Sequence, residues 1–273
     1  MAVTHAEWLL AGVTPGASSE VASGAALEAA PALVHYLPVA STAVSAAFLV
    51  ALLRRAMVKD WPPHLNWWAV GVFFYGVGTG LESAVTLAGN TLLLTKLWYI
   101  AGAILGGYPL ATGTVYLLLK RRTANVLTAL SLVVVIGATV AIALSPMDAS
   151  ALEPHRPTPD ALGWQWARSL TPFINIYAAL FLVGGAVLSS WRFARHVGDG
   201  RRALGTAFIA VGGLLPGIGG TLTKTHGVVE ALYVGELVGI VFIWIGFELT
   251  TRAKRAVRVA RSGGEMAERG DEG

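Results

Sequence analysis

The chain has 273 residues, of which 55% are hydrophobic and only 13% are charged. Soluble domains carry about 25% charged residues, so this composition excludes a protein that covers its surface with ionised groups in water. The absence of cysteine excludes disulfides, thiol catalysis and iron–sulfur clusters. The formal net charge is +4, but the basic residues form short clusters between apolar stretches, so we expect a membrane protein and no nucleic-acid partner.

In chain order, residues 1–31 precede seven apolar stretches. No Lys or Arg precedes Arg54, which is unlike a secretory signal, and we expect residues 1–31 to form an external N-terminal segment. A helix needs about 20 apolar residues to cross a bilayer core of about 30 Å. The stretches that meet this requirement are residues 33–53, 67–87, 92–119, 126–144, 171–191, 203–222 and 228–249. Because lipid offers no partner for unpaired backbone groups, we expect an all-α fold, a polytopic bundle of seven transmembrane helices spanning residues 32–251.

The lysine and arginine residues predict the orientation of this bundle. Sixteen of the 20 follow predicted helices 1, 3, 5 and 7, and the other side has only Lys96, Arg156, Arg168 and Lys224. The positive-inside rule places the basic side in the cytoplasm. We therefore expect a multi-pass protein of the inner (plasma) membrane, with its N-terminus outside and its C-terminus in the cytoplasm. Residues 252–273 are expected to form a basic extension of the last helix and then, from Ser262, a disordered tail.

An internal repeat is one possible interpretation of the pattern. A displacement of 134 residues aligns Gly71 with Gly205, Phe74 with Phe208, Gly78 with Gly212 and Tyr99 with Tyr233. This would be a parallel repeat of three helices, with predicted helix 4 as the linker. Apolar stretches of low complexity also match by chance, so the absence of a repeat is the alternative. Three proline residues within the spans are candidates for kinks, namely Pro38, Pro109 and Pro216.

Ionisable residues inside the spans are the main candidates for function, because a buried charge in a membrane is costly without a partner. Glu82 lies in the outer third of helix 2, and Glu236 lies about two turns below the outer end of helix 7. Tyr233 shares a helix face with Glu236, since the two are three residues apart. We expect an outward-facing, polar and aromatic cavity that binds a small ligand, lined by Glu82, Lys96, Tyr99, Tyr108, Tyr177, Tyr233 and Glu236.

The alternative is that the acidic residues form pairs at the interface that tie helix ends together, Glu82 with Lys96 and Glu230 with Lys224. This alternative is favoured for Glu230, which lies near the headgroups. It is not favoured for Glu236, which lies too deep to reach the interface easily.

Known catalytic patterns are missing from the sequence. There is no phosphate-binding loop, no zinc-protease motif and no nucleophile elbow, so an enzyme is the weakest alternative. The six histidines are scattered mainly near helix ends and in loops, and we expect neither a metal nor another cofactor. Helix 7 has no lysine between Val228 and Glu248 that could form a Schiff base with retinal.

Glu82, the run KLWYIAG from Lys96 to Gly102, Pro109 and the run TVYLLLK from Thr114 to Lys120 form a pattern in helices 2 and 3. This pattern resembles the seven-helix N-terminal sensor region of certain bacterial histidine kinases, and a group of stand-alone bacterial seven-helix membrane proteins. The resemblance covers about a sixth of the chain and implies a sensor or ligand-binding module. The kinase version continues beyond helix 7 and this sequence does not, so any signal is expected to pass to a separate protein.

These observations lead to a functional hypothesis. We expect an integral membrane protein of receptor-like or sensory type that binds a small ligand and signals to a separate partner. The alternatives are a small secondary transporter, coupled to protons or substrate through its membrane carboxylates, and a structural subunit of a membrane complex. The expected partners are the lipid bilayer, a small ligand, and a cytoplasmic signalling protein or a second copy of the chain.

Overall fold

The computed structural model describes the backbone of residues 32–271 and the side chains of residues 32–253, so the expected external segment, residues 1–31, lies outside the described residues. From Leu33 onward the chain forms one compact unit. Its seven long helices are α1 (Leu33–Val58), α2 (Pro63–Ala88), α3 (Leu92–Leu118), α4 (Arg121–Leu144), α5 (Gln165–Ala194), α6 (Gly200–His226) and α7 (Val229–Asp271).

Each of these helices is long and apolar enough to cross a membrane, and in α7 the apolar part is Val229–Ala253. The described residues contain no β-strand beyond one isolated bridge, between Met147 and Leu162. The all-α architecture of a multi-pass membrane protein is therefore confirmed for this part of the chain, while the orientation of the bundle stays a prediction. We call the end that carries residues 145–164 the loop end, and the opposite end, where Arg54 and Arg192 lie, the basic end.

Several helices begin or end outside the predicted apolar stretches. α2 begins at Pro63 and α4 at Arg121, four and five residues before the predicted starts. The prediction used hydrophobicity and so found only the part of each helix that fits the hydrocarbon core. Local chemistry sets the true ends. α2 ends at Ala88, and the next residue, Gly89, has a φ of 86° that favours glycine. The Thr91 hydroxyl accepts a hydrogen bond from the Leu94 N–H (3.2 Å) and so caps α3.

Two helices contain a wider, π-helical segment. In α3 it is Tyr99–Ile104 and in α5 it is Ala179–Gly184. Pro109 lies in the first turn of the α-helical segment Tyr108–Leu118, and Pro38 lies in the first turn of the α-helical segment Leu37–Val58. A missing N–H is not needed at either position. Only Pro216 lies inside a continuous helix among the three prolines that were expected to cause kinks. π-helical segments within longer α-helices are often found at functional sites.

Glycine residues allow close packing of α6 on α7 and of α2 on α3. A Cβ on Gly212 would lie 2.6 Å from the Gly239 carbonyl oxygen, and a Cβ on Gly205 would lie 2.8 Å from that of Gly246. On α2, a Cβ on Gly71 would lie 2.6 Å from the Leu110 side chain, at the contact with α3. Only hydrogen fits at these positions, as in other membrane bundles.

The helix packing agrees with the possible repeat. Gly71 and Gly205, which the 134-residue displacement aligns, both face the next helix of their group, α3 and α7 respectively. α2 packs between α1 and α3, and α6 packs between α5 and α7. The two groups then meet through α3 against α5 and α7 against α1, which are equivalent contacts in a parallel repeat. The linker, α4, packs at the side, on α3 and α5.

The last helix continues well beyond the apolar part. α7 is helical through Asp271, whereas a disordered tail was expected from Ser262. Glycine residues disfavour helix, and for that reason this stretch was expected to be disordered. Glu, Met, Ala and Arg favour helix, however, and extending an existing helix needs no new nucleus.

Candidate functional site

Two carboxyl groups meet inside the bundle. Glu82 of α2 is only 1% exposed, and its carboxyl group lies beside that of Glu236 of α7, close enough for the two groups to interact. A carboxylate can only accept a hydrogen bond, so a hydrogen bond between the two groups would need a proton on one of them. The Oε2 atoms of both residues are buried and have no hydrogen-bond partner among the described residues. The structure therefore places two carboxyl groups with unsatisfied oxygens side by side, one from each of two helices.

Helical periodicity explains why these carboxyl groups point inward. On α7, Tyr233, Glu236 and Ile240 follow one another at intervals of three and four residues, and Tyr233 and Ile240 are fully buried. On α2, Thr79, Glu82 and Thr86 have the same spacing on the buried face of the helix. Both glutamates thus lie on the stripe that packs against the rest of the bundle.

Two neighbouring aromatic residues fix the pair in place. The indole Nε1 of Trp98, on α3, donates a hydrogen bond of 2.7 Å to Glu82 Oε1. The hydroxyl of Tyr75, on α2, donates one of 2.7 Å to the backbone carbonyl of Glu236. The second bond joins α2 directly to α7. Three helices therefore meet at the carboxyl pair, and the π-helical segment of α3 begins at the residue after Trp98.

A layer of rings and loop residues covers the pair at the loop end. Tyr233 is 1% exposed, and its ring lies edge-on to that of His35 with centroids 5.8 Å apart. The ring of His35 in turn faces that of His155, with centroids 6.2 Å apart. His35 belongs to the first turn of α1, whereas His155 belongs to the connection between α4 and α5.

Asn90 holds this connection against the bundle. Its Nδ2 donates hydrogen bonds to the carbonyl oxygens of Glu153 (2.8 Å) and Arg156 (2.9 Å), and its Oδ1 accepts one from the Thr95 hydroxyl (2.8 Å). Arg156 forms an ion pair with Glu153. The hydrogen bond from Arg156 to Glu153 raises the pKa of the arginine, so this residue stays charged beside the cover.

The remaining predicted site residues lie in other contacts. Lys96 does not pair with Glu82, because its Nζ donates to the carbonyl oxygens of Ala143 (3.0 Å) and Ser145 (2.8 Å) at the end of α4. There the ammonium complements the negative end of the helix. Glu230 and Lys224 form no ion pair among the described side chains. The two interface pairs offered as the alternative are thus not formed.

Three of the predicted tyrosines form hydrogen bonds that join different helices. Tyr99 shares a hydrogen bond of 2.9 Å with Thr171 of α5. Tyr108 and Tyr177 pack together with ring centroids 5.3 Å apart, and the Tyr108 hydroxyl bonds to Ser131 of α4 (2.9 Å). Of the seven predicted residues, the structure therefore brings Glu82, Tyr233 and Glu236 together, and the others lie in contacts of their own.

The sequence prediction omitted several residues of this site, namely Tyr75, Asn90, His35 and His155. Tyr75 has a signal, because it lies seven residues before Glu82 and so on the same face of α2. The contacts of Asn90 and His155 depend on how a long connection folds back, which no local pattern reveals.

The pair is made of carboxyl groups alone, and no group of three His, Cys, Asp or Glu residues that could hold a metal ion occurs among the side chains that the structure describes.

No family model matches the chain, and the comparisons with curated proteins and with solved structures likewise find no match. The resemblance to the sensor region of bacterial histidine kinases therefore stays a prediction.

Proposed function

We propose that this chain is a receptor-like or sensory protein of the inner (plasma) membrane, and that its Glu82–Glu236 pair exchanges a proton or a small cation with the outer side. The observation that carries the proposal is the meeting of two carboxyl groups from different helices inside the membrane domain. The positive-inside rule supports an outer position for the loop end and a cytoplasmic position for the basic end.

The chemistry of a carboxyl pair suits this role. Two carboxyl groups in contact cannot both ionise without strong repulsion, so they share a proton until a cation or solvent compensates the second charge. Loss of the proton therefore drives the two groups apart, and binding of a cation between them draws them together again. Because the groups belong to α2 and α7, either event changes the packing of these two helices.

A continuous helix supports transmission of the change. α7 runs unbroken from Val229 to Asp271, so Glu236 and the basic end belong to one rigid element. A shift of α7 at the carboxyl pair would thus move the cytoplasmic part of the helix, where a separate signalling protein or a second copy of the chain could respond.

Trp98 provides a direct test, because its indole N–H bonds to Glu82 and its fluorescence should follow the state of the pair. The purified protein in lipid nanodiscs would be titrated with acid and, separately, with tetramethylammonium as a cation probe. The difference between wild type and Trp98→Phe isolates this tryptophan from the other eight. We expect the difference signal to respond to at least one titration, and Glu236→Gln to abolish that response, because an amide forms hydrogen bonds but does not ionise.

Glu248→Gln is the matched control. Glu248 lies on the same helix but toward the basic end, where it pairs with Arg252 (3.3 Å). This variant should respond as wild type does. A signal that is flat in both titrations, or that is unchanged in Glu236→Gln, would refute the proposed role of the pair.

Transmission to the basic end needs its own measurement. The chain has no cysteine, so spin labels at Val58→Cys and Arg252→Cys can report the distance between α1 and α7 there; both side chains are exposed. We expect the distance distribution to change when the pair is titrated, and to stay constant in the Glu236→Gln background. A distance that does not respond in either background would argue against signalling.

The second candidate is a small secondary transporter, and the packing of α1–α3 and α5–α7 as equivalent groups favours it. Proteoliposomes with a trapped pH-sensitive dye and an imposed membrane potential would measure proton flux. Flux that is lost in Glu236→Gln would support the transporter and refute the sensory proposal. The absence of flux, together with a Trp98 response, would support the sensory proposal.

A further inference from the structure

The carboxyl pair is closed toward the basic end. Past Thr79 of α2 and Ser45 of α1, the chain forms a layer of apolar, fully buried side chains from three helices: Phe48 and Leu52 of α1, Val72 of α2 and Ile240 of α7. A proton crosses such a layer only through water or polar groups, and these side chains provide neither. Exchange with solvent must therefore take place through the loop end.

The loop end contains a short series of groups that can carry a proton. His155 lies in the connection that Asn90 holds, beside Glu153 and Arg156, whose side chains remain 39% and 28% exposed. Nε2 of His155 is buried and has no hydrogen-bond partner in the described part of the chain. Unpaired buried nitrogens are rare in folded proteins, and an imidazole nitrogen can either donate or accept a hydrogen bond, which suits it to pass a proton on.

From His155 the series leads inward to the pair. The centroid separations, 6.2 Å from His155 to His35 and 5.8 Å from His35 to Tyr233, can each be bridged by a ring rotation or by one water molecule. Tyr233 lies near enough to Glu82 and Glu236, and to Arg156 and Glu153 of the connection, to interact with all four charged groups. Tyr233 thus stands between the histidines and the carboxyl pair.

We propose that His155, His35 and Tyr233 form the route by which protons reach the Glu82–Glu236 pair from the outer side. This inference rests on the proposed function of the pair. The proton moves from solvent to an imidazole nitrogen, from there by way of the second imidazole and the Tyr233 hydroxyl to a carboxylate oxygen, and each carrier returns to its starting form. The titratable groups that face the route are Glu82 and Tyr75 of α2, Glu236 of α7, and Glu153, Arg156 and Asp160 of the connection.

The route predicts a kinetic effect without an equilibrium effect. In a stopped-flow pH jump on protein in nanodiscs, the Trp98 difference signal should reach the same end point in His155→Ala as in wild type. The rate of the response should fall by about tenfold or more, since a positioned proton carrier contributes this much or more. Added imidazole should restore the rate, because it replaces the missing side chain. His35→Gln should also respond slowly.

Asn90→Ala is the control for a purely structural effect. It releases the carbonyl oxygens of Glu153 and Arg156 without removing a titratable group, and imidazole should not change its rate. A His155→Ala rate equal to that of wild type would overturn the route, and so would a slow rate that imidazole does not restore. A wild type that shows no response to pH at equilibrium would overturn the route, and one that also does not respond to tetramethylammonium would refute the proposed function of the pair as well.

Discussion

Replacing Glu82 with alanine tests whether the carboxyl pair holds the helices together. The substitution leaves the Trp98 indole N–H without its acceptor and removes the carboxyl group that lies beside Glu236. Each stranded buried polar group costs about 1–3 kcal/mol. Hydrogen bonds in membrane bundles contribute less, on average about 0.6 kcal/mol, but the missing side chain also leaves a cavity. We therefore expect a loss of roughly 2–4 kcal/mol in the free energy of unfolding.

The measurement is reversible unfolding of the purified protein in mixed detergent micelles, followed by circular dichroism. Ser83→Ala is the matched control, because Ser83 is the next residue and is also buried, but its hydroxyl bonds only to the Thr79 carbonyl of its own helix (2.8 Å). This control should lose less than about 1 kcal/mol. Glu82→Gln, which keeps an acceptor for Trp98, should be much less destabilising than alanine. Equal losses in Glu82→Ala and Ser83→Ala would show that the pair does not hold the helices together.

Three further predictions concern packing and the loop end. Gly212→Ala should lower the melting temperature in detergent by several degrees, because its Cβ would lie 2.6 Å from the Gly239 carbonyl oxygen, whereas Gly137→Ala, with no atom within 4 Å, should not. Lys96→Met removes the ammonium from the last carbonyls of α4 and should cost about 1–2 kcal/mol in the same unfolding assay, and Lys96→Arg should cost less. Asn90→Ala should speed amide hydrogen exchange in residues 145–164 without changing exchange in α6, and equal protection in both proteins would contradict the role of Asn90.

Hydrophobicity was sufficient to predict the seven spans, because the thickness of the bilayer imposes a length that a sequence scan can detect. It also identified Glu82 and Glu236, since a carboxyl group within an apolar stretch is rare and needs a partner. The scan gave the wrong starts for α2 and α4, because helices extend past the hydrocarbon core on residues such as Arg121 that the scan rejects.

The partner of Glu82 could not be predicted in the same way. Lys96 is only 14 residues away and has the opposite charge, so an ion pair was the natural alternative. The choice depends on which helices are neighbours, and side-chain periodicity within a helix carries no information about that. In the folded chain Lys96 turns to the end of α4, and Glu82 meets a residue 154 positions further along the chain.

The chemistry of two adjacent carboxyl groups favours a site that responds to pH or to a cation over a purely structural contact. An ion pair between Glu82 and a lysine would not respond to ordinary changes of pH, since both groups keep their charges near neutral pH. Two carboxyl groups share a single proton, so a change in outside pH or the arrival of a cation alters the force between the helices that carry them. The two carboxyl groups lie between α2 and α7. Apolar residues separate them from the basic end, and imidazole rings lie between them and the loop end. A bond meant only to join helices needs no such asymmetry, and the Tyr75 hydroxyl already joins α2 to α7 without a titratable carboxyl group.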